Sequence, residues 1–313
     1  MNVLVTGANG FVGRALCDEL TAQGIPFVGT GRVARDNLLG VGELAPDTDW
    51  TGALSNITDV IHLAARVHVM DESESDPLTA FRRVNVEGTI NLARQAAAAG
   101  VRRFVFVSSV KVNGEATTAT PYAESDIAAP SDPYGVSKHE AEQALWELAQ
   151  HTSLEVVVVR PPLVYGPGVK ANFRNLMGAV ARGIPLPIGA IHNARSMVAI
   201  DNLVDFLVTT LKHDAAAGQT FLVSDGDDLS TPTLARKLGS ALGRPARLIP
   251  VPLPMLRLIG KLTGKQSTID RLTGSLQVDI NQAKTLLGWQ PRVTVDQAIE
   301  RTITHFLSTR ETE

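Results

Sequence analysis

Short apolar runs alternate with longer stretches of helical period along the chain. Val3–Val5, Ile25–Val28, Val60–Leu63, Phe104–Val107 and Val156–Val159 read as strands buried on both faces. Between them, Phe11–Ala22, Pro77–Ala99 and Pro133–His151 place apolar residues three and four apart, as amphipathic helices do. Ala96–Ala99 followed by Gly100 reads as a helix tail with its glycine stop. Strands alternating with helices predict right-handed βαβ units. The expected fold class is therefore α/β, a doubly wound parallel sheet.

The pattern changes near Arg160-Pro161-Pro162. Beyond it prolines and glycines become frequent, as in Gly166-Pro167-Gly168 and Ile184-Pro185-Leu186-Pro187. Such loop-rich chain suits a cap over the sheet. Met197–Leu211 again reads as strand then helix, so the sheet domain is expected to be re-entered there. The predicted division is residues 1–165, re-entered at 196–228, for the sheet domain. Residues 166–195 and 229–313 form a smaller, interleaved C-terminal substrate-binding cap.

With 313 residues, 44% of them hydrophobic, the chain has enough apolar material for a full core. A formal net charge of −3 gives no reason to expect capture by nucleic acid or by an acidic membrane surface. The single cysteine, Cys17, excludes an internal disulfide and fits a reducing compartment. Its place in an apolar helix suggests a small hydrophobe rather than a reactive thiol. The first residues lack the basic start and long apolar run of a secretory signal. No stretch approaches the roughly 18 apolar residues of a membrane span. A soluble, cytoplasmic protein is expected, and no metal site is singled out.

Gly7-Ala8-Asn9-Gly10-Phe11-Val12-Gly13 follows the first strand and opens the first helix. Its glycines permit a tight turn and let the backbone approach a pyrophosphate seated on helix amides, as in the Rossmann fold. The candidate cofactor contacts are Gly7, Asn9, Gly10, Phe11, Val12 and Gly13. Many NAD enzymes carry an acid at the end of the second strand. Here Gly29-Thr30-Gly31-Arg32 offers an arginine, which suits a 2′-phosphate. NADP(H) is the favoured expectation and NAD(H) the alternative, with Arg32 then a surface residue.

Of the three tyrosines, Tyr122, Tyr134 and Tyr165, only Tyr134 has a lysine four residues on, Lys138. On a helix that spacing puts both side chains on one face. A phenol of pKa about 10 becomes a useful base only beside positive charge. Lys138 and an oxidised nicotinamide would supply it, with Tyr134 moving the proton. Ser108 and Ser109 close the strand before it, at the strand end where such sheets bind ligands.

These motifs resemble the extended short-chain dehydrogenase/reductase family of nucleotide-sugar epimerases and reductases. The resemblance also covers Asp59–Ala65, Val84–Thr89 around Asn85, Arg160–Pro162, Val164–Pro167 and Val198–Asp201. It implies a Ser109, Tyr134 and Lys138 triad, with Lys138 also on the nicotinamide ribose. It puts Leu63, Ala64, Ala65, Pro161 and Pro162 against the cofactor. Asn85 is counted with them, although the family more often uses it to brace the catalytic helix. For the nucleotide diphosphate it suggests Asn172 and Arg195, with Arg271 as a weaker candidate. Lys111 is a separate candidate for reaching the sugar.

Departures from the family narrow the reaction. Sugar 4,6-dehydratases carry Thr-Asp-Glu where this chain has Ser109-Val110-Lys111. GDP-fucose synthases carry a cysteine where Val110 stands. The usual Val-Tyr-Gly is Val112-Asn113-Gly114. Two reactions on a UDP-sugar survive, and the chain looks most like a bacterial subgroup from polysaccharide pathways that contains both. Arg32 favours reduction of a 4-keto-6-deoxy sugar of the kind that gives UDP-N-acetylquinovosamine; 4-epimerisation with recycled NAD is the alternative. A sensor lacking chemistry would be expected to lose the Tyr134/Lys138 pair. The resemblance further implies a homodimer, paired through the alanine-rich faces of Pro77–Ala99 and Pro133–His151.

Overall fold

Seven parallel strands form the centre of the protein: β1 (Val3–Thr6), β2 (Phe27–Gly31), β3 (Leu38–Gly40), β4 (Asp59–His62), β5 (Arg103–Val107), β6 (Glu155–Arg160) and, later in the chain, β9 (Thr220–Leu222). The computed structural model describes all residues except 36, 68–75, 265 and 311–313, and omits the side chains of 267 and 310. The sheet order is β3-β2-β1-β4-β5-β6-β9. From β1 the chain first builds outward to β2 and β3, then returns to β4 and builds the other way. That reversal between β1 and β4 leaves a crevice at the carboxyl ends of the strands, where open α/β sheets bind ligands.

Helices cover both faces. They are α1 (Phe11–Ala22), α2 (Pro77–Arg82), α3 (Thr89–Ala98) and α4 (Pro133–Gln150), then α5 (Ala171–Ala181) and α6 (Ile200–Lys212). One core joins the sheet to Leu16, Leu20, Leu203, Phe206 and Leu207 of α1 and α6. The opposite core joins it to Leu92, Ala93 and Ala96 of α3 and to Ala141 and Leu145 of α4.

Two expected elements are displaced. The second strand begins at Phe27 rather than Ile25, because Pro26 has no N–H to donate, and the Ile25 amide closes a turn onto the Leu20 carbonyl. The single helix expected over Pro77–Ala99 is interrupted by a π-helical turn, Arg83–Gly88, between α2 and α3. Such turns recur at functional sites; this one carries Asn85.

A second, two-stranded parallel sheet pairs β7 (Leu163–Tyr165) with β8 (Met197–Ala199). The Met197 strand therefore does not join the main sheet as expected. The chain returns to it through α6, which packs on the central core, and through β9 beside β6. The remaining helices are α7 (Thr231–Ala241), α8 (Leu253–Leu262), α9 (Gln266–Thr273), α10 (Asn281–Leu287) and α11 (Val295–Arg310). Phe173, Met177, Leu238, Ile299 and Ile303 of α5, α7 and α11 build a separate core above β7 and β8.

Candidate active site

The turn after β1 sets the shape of the crevice. Gly7 has φ of +67°, and a Cβ there would lie 2.9 Å from the Ala64 amide nitrogen. A Cβ on Gly13 would lie 2.1 Å from the Gly7 carbonyl oxygen. Only glycine lets this loop fold back so closely before α1 starts. Gly10 caps α1 without any side-chain hydrogen bond, and the first turn carries no acid. Those first amides suit an anion, as a pyrophosphate-binding loop requires.

A cleft of about 820 Å³ runs along the carboxyl ends of the strands. Gly7, Asn9, Gly10, Phe11, Val12 and Gly13 line its middle. Arg32 and Glu43 stand at the β2–β3 end, with Ser109, Tyr134, Lys138, Pro161 and Pro162 at the β5–β6 end. Leu63, Ala64 and Ala65 line the wall after β4. That volume lies within the usual range for cofactor pockets. The shape and the amide-lined turn fit an extended dinucleotide.

Helix capping fixes the position of Tyr134. Asp132 accepts the Gly135 amide at 2.7 Å and Pro133 occupies the first turn of α4, so the helix register is set immediately before the tyrosine. The Ser109 turn is tied to the same cap. Ser109 Oγ accepts the Lys111 amide at 3.2 Å, and the Lys111 ammonium pairs with Asp132. The Val110 amide also donates to the Pro161 carbonyl at 3.0 Å. Ser109, Tyr134 and Pro161 are thereby held as one unit.

Lys138 is fully buried, with Nζ 4.1 Å from the centre of the Phe106 ring. Burial pulls its pKa down to about 7, against the opposing charge of Glu142. Burial, with a smaller contribution from Asp132, pushes Tyr134 up to about 12. The tyrosine hydroxyl alone is therefore a poor base. Positive charge has to arrive beside it before it gives up a proton.

Behind this pair lies a buried polar chain. Ser108 donates to Glu142 at 2.5 Å, Glu142 pairs with Arg160, and Arg160 donates to Asn113 at 3.1 Å. A second chain supports the cofactor wall. Thr6 Oγ1 accepts the Leu63 and Ala64 amides at 3.2 and 3.1 Å, so its own proton faces His62 Nδ1, 2.7 Å away. His62 therefore carries its proton on Nε2, directed at Thr89 at 2.9 Å. Burial, with a smaller contribution from Lys138, pulls the His62 pKa down to about 3.

Several expected contacts lie outside the lining of the cleft. The Asn85 amide is spent on protein: it binds both backbone polar atoms of Arg66 and donates to Ser137 at 3.0 Å. It braces α4 from outside the cleft lining. Lys111 is turned toward Asp132 and Glu115. Arg195 donates to the carbonyls of Arg271 and Gly274 at 3.0 Å each, closing the end of α9. Asn172 is exposed in the first turn of α5, and Arg271 is exposed on α9. Cys17 is half-buried, and its thiol is raised to about 11, mainly by burial, which leaves it a poor nucleophile.

The guanidinium of Arg32 meets the Glu43 carboxylate at 3.5 Å, both side chains being 77% exposed. Sequence reading missed Glu43, because it follows β3 rather than closing β2. An exposed pair of this kind contributes little stability. Its effect is local: a carboxylate stands beside the one cation that was expected to receive a 2′-phosphate. Among the described residues no cluster of metal ligands occurs, and no helix is long and apolar enough to cross a membrane.

Residues 3–224 match the NAD dependent epimerase/dehydratase family. A UDP-glucose 4-epimerase of Vibrio cholerae is 50% identical over 98% of this chain and 95% of its own. A UDP-glucose 4-epimerase of Mycolicibacterium smegmatis is 31% identical, with 98% of both chains covered. The solved structure of MoeE5 in complex with UDP-glucose and NAD superposes with a TM-score of 0.79 at 26% identity, all of both chains being covered.

Proposed function

The chain belongs to the NAD dependent epimerase/dehydratase family, and from that premise we propose that it is a 4-epimerase of a UDP-linked hexose with a retained, recycled NAD. One observation carries the reading: Ser109, Tyr134 and Lys138 converge at one end of a dinucleotide-sized cleft. The 50% identity to a UDP-glucose 4-epimerase supports it.

In this reading Tyr134 takes the proton from the sugar 4-hydroxyl, and Ser109 donates a hydrogen bond to the same oxygen as it becomes a carbonyl. A bound nicotinamide would supply reversible acceptance of the C4 hydride. Tyr134 then gives its proton back, so no net redox equivalent is consumed. Lys138, one helical turn beyond Tyr134 on α4, is the residue that would supply positive charge toward the phenol, and the Glu142 carboxylate opposes the loss of that charge to burial. Residues Gly7–Gly13 would hold the pyrophosphate, with Ala64, Ala65, Pro161 and Pro162 against the rings. Glu43 is the candidate acceptor for the adenosine ribose hydroxyls, which turns the expectation drawn from Arg32 toward NAD. A homodimer through the helices of residues 77–99 and 133–151 belongs to the same reading, although Ala93, Ala96 and Ala141 are spent on the core of the single chain.

The test is to denature the freshly purified protein and identify the nucleotide released. Near-stoichiometric NAD⁺ supports the 4-epimerase. An empty protein that binds NADPH more tightly than NADH restores the 4-keto-sugar reductase and refutes the role given to Glu43.

A further inference from the structure

The overall charge of −3 hides a strong division. Residues 236–271 contain eight lysines and arginines and one acid, Asp270, whereas the rest of the chain holds 21 basic and 31 acidic residues. That segment thus carries +7 against −10 elsewhere. Near its middle sits α8, preceded by Pro250 and Pro252 and entirely free of acidic residues.

One side of α8 is accounted for. Leu256 is buried with Ile188, Ile191 and Ala235. Gly260 is buried as well, at a point where an added Cβ would meet the Ile269 side chain of α9 at 2.8 Å. The other side carries Met255, Leu258, Ile259 and Leu262, exposed by 54, 58, 47 and 77%. Their spacing of three, four and seven makes one continuous aliphatic stripe. Arg257 and Lys261 are exposed on the flank of that stripe, and neither takes part in the described ion pairs. Ile249, 48% exposed, extends the apolar surface just before the helix. By contrast α3 and α4, in the expected dimer contact, carry no exposed large hydrophobic residue.

We propose that α8 is a docking helix for an anionic phospholipid surface. An aliphatic stripe flanked by Arg and Lys is the pattern of helices that lie in the plane of a membrane interface. The surrounding positive segment adds attraction to acidic headgroups. A second copy of this chain is a poor occupant, because pairing the face with itself would bring two positive segments together. The protein would then be peripheral, held by insertion of four side chains and released by salt. This holds whatever reaction the cleft performs.

The experiment is co-sedimentation of the full chain with vesicles of phosphatidylcholine alone, or with about one third phosphatidylglycerol. The expected result is pelleting with the anionic vesicles only, weakened about tenfold or more at high salt. Leu258→Glu with Leu262→Glu should abolish pelleting while leaving the thermal midpoint and turnover of soluble substrate unchanged. Arg257→Glu with Lys261→Glu should remove the salt-dependent part. A wild-type chain that stays in solution with both vesicles overturns the proposal. So does equal pelleting of the Leu258/Leu262 variant. So does a dimeric wild type that the same variant makes monomeric, which would show a second copy on this face.

Discussion

Glu142 stands one helical turn beyond Lys138 and grips Arg160 through two buried hydrogen bonds, 3.0 Å from Nε and 2.5 Å from Nη2. The pair links α4, which carries Lys138, to the end of β6, immediately before Pro161 and Pro162 of the cleft. It also sets the charge that Lys138 experiences.

Replacing Glu142 by Gln leaves the Arg160 charge buried without its counter-charge, which costs about 3–5 kcal/mol. The double variant Glu142→Leu with Arg160→Met should be more stable than either single variant, because no lone charge then remains buried. Loss of the Glu142 charge also lowers Lys138 further. The pH profile of turnover should accordingly move to lower pH in Glu142→Gln. Urea unfolding of Glu142→Leu, Arg160→Met and their double variant, with the pH profile of Glu142→Gln, checks this; additive destabilisation would contradict it.

Gly13→Ala would set a methyl group 2.1 Å from the Gly7 carbonyl oxygen and 2.7 Å from Ala8 Cα. Both neighbours are backbone, so neither yields cheaply. The expected outcome is loss of retained nucleotide together with a lower thermal midpoint. Gly24→Ala, where an added Cβ meets nothing within 4 Å, should leave nucleotide retention unchanged.

Lys111→Ala tests the reassignment of that side chain from substrate to scaffold. Its ion pairs with Asp132 and Glu115 are partly exposed, so their loss should cost about 1 kcal/mol or less. KM for the true substrate should stay unchanged, while kcat falls if the Asp132 cap loosens. A large rise in KM would return Lys111 to the sugar.

His62 gives the fold a defined pH dependence. Its folded pKa of about 3 lies below the ordinary 6.5, so the unfolded chain takes up the proton first. This stability is fully present above pH 6.5 and is lost progressively as pH falls toward 3. His62→Gln removes the titration. The gap between the wild-type and variant thermal midpoints should therefore narrow on going from pH 7 to pH 5. A constant gap would show that His62 takes up its proton in the folded chain as readily as in the unfolded one, contradicting the lowered pKa.

Much of this was legible in the sequence because it rests on local pattern. The buried strands of the main sheet, the Gly7–Gly13 turn and the one Tyr-x-x-x-Lys each carry a signal within a few residues. What escaped depends on distant partners. β3, β7 and β9 are three residues long, too short for a period of two to register. Nothing in the sequence around Glu43 says that its carboxylate stands beside Arg32. Lys111 has the charge for a sugar contact, but Asp132, the cap of the next helix, claims it first. Asn85 is picked out only by the resemblance, and its bonds to Arg66 and Ser137 show the bracing role; Glu142 reads as an ordinary helical polar residue until Arg160 shows what it holds. The net charge of −3 averages over the basic segment around α8, which a reading by segment separates.

The most direct test of the central claim is to incubate the purified protein with UDP-glucose, without added nucleotide, and follow the sugar by NMR. The account predicts interconversion with UDP-galactose, or the same C4 inversion of UDP-N-acetylglucosamine, slowed about 10²- to 10⁴-fold in Tyr134→Phe. Failure to invert either sugar, with NADPH consumed only when a 4-keto UDP-sugar is supplied, would contradict it.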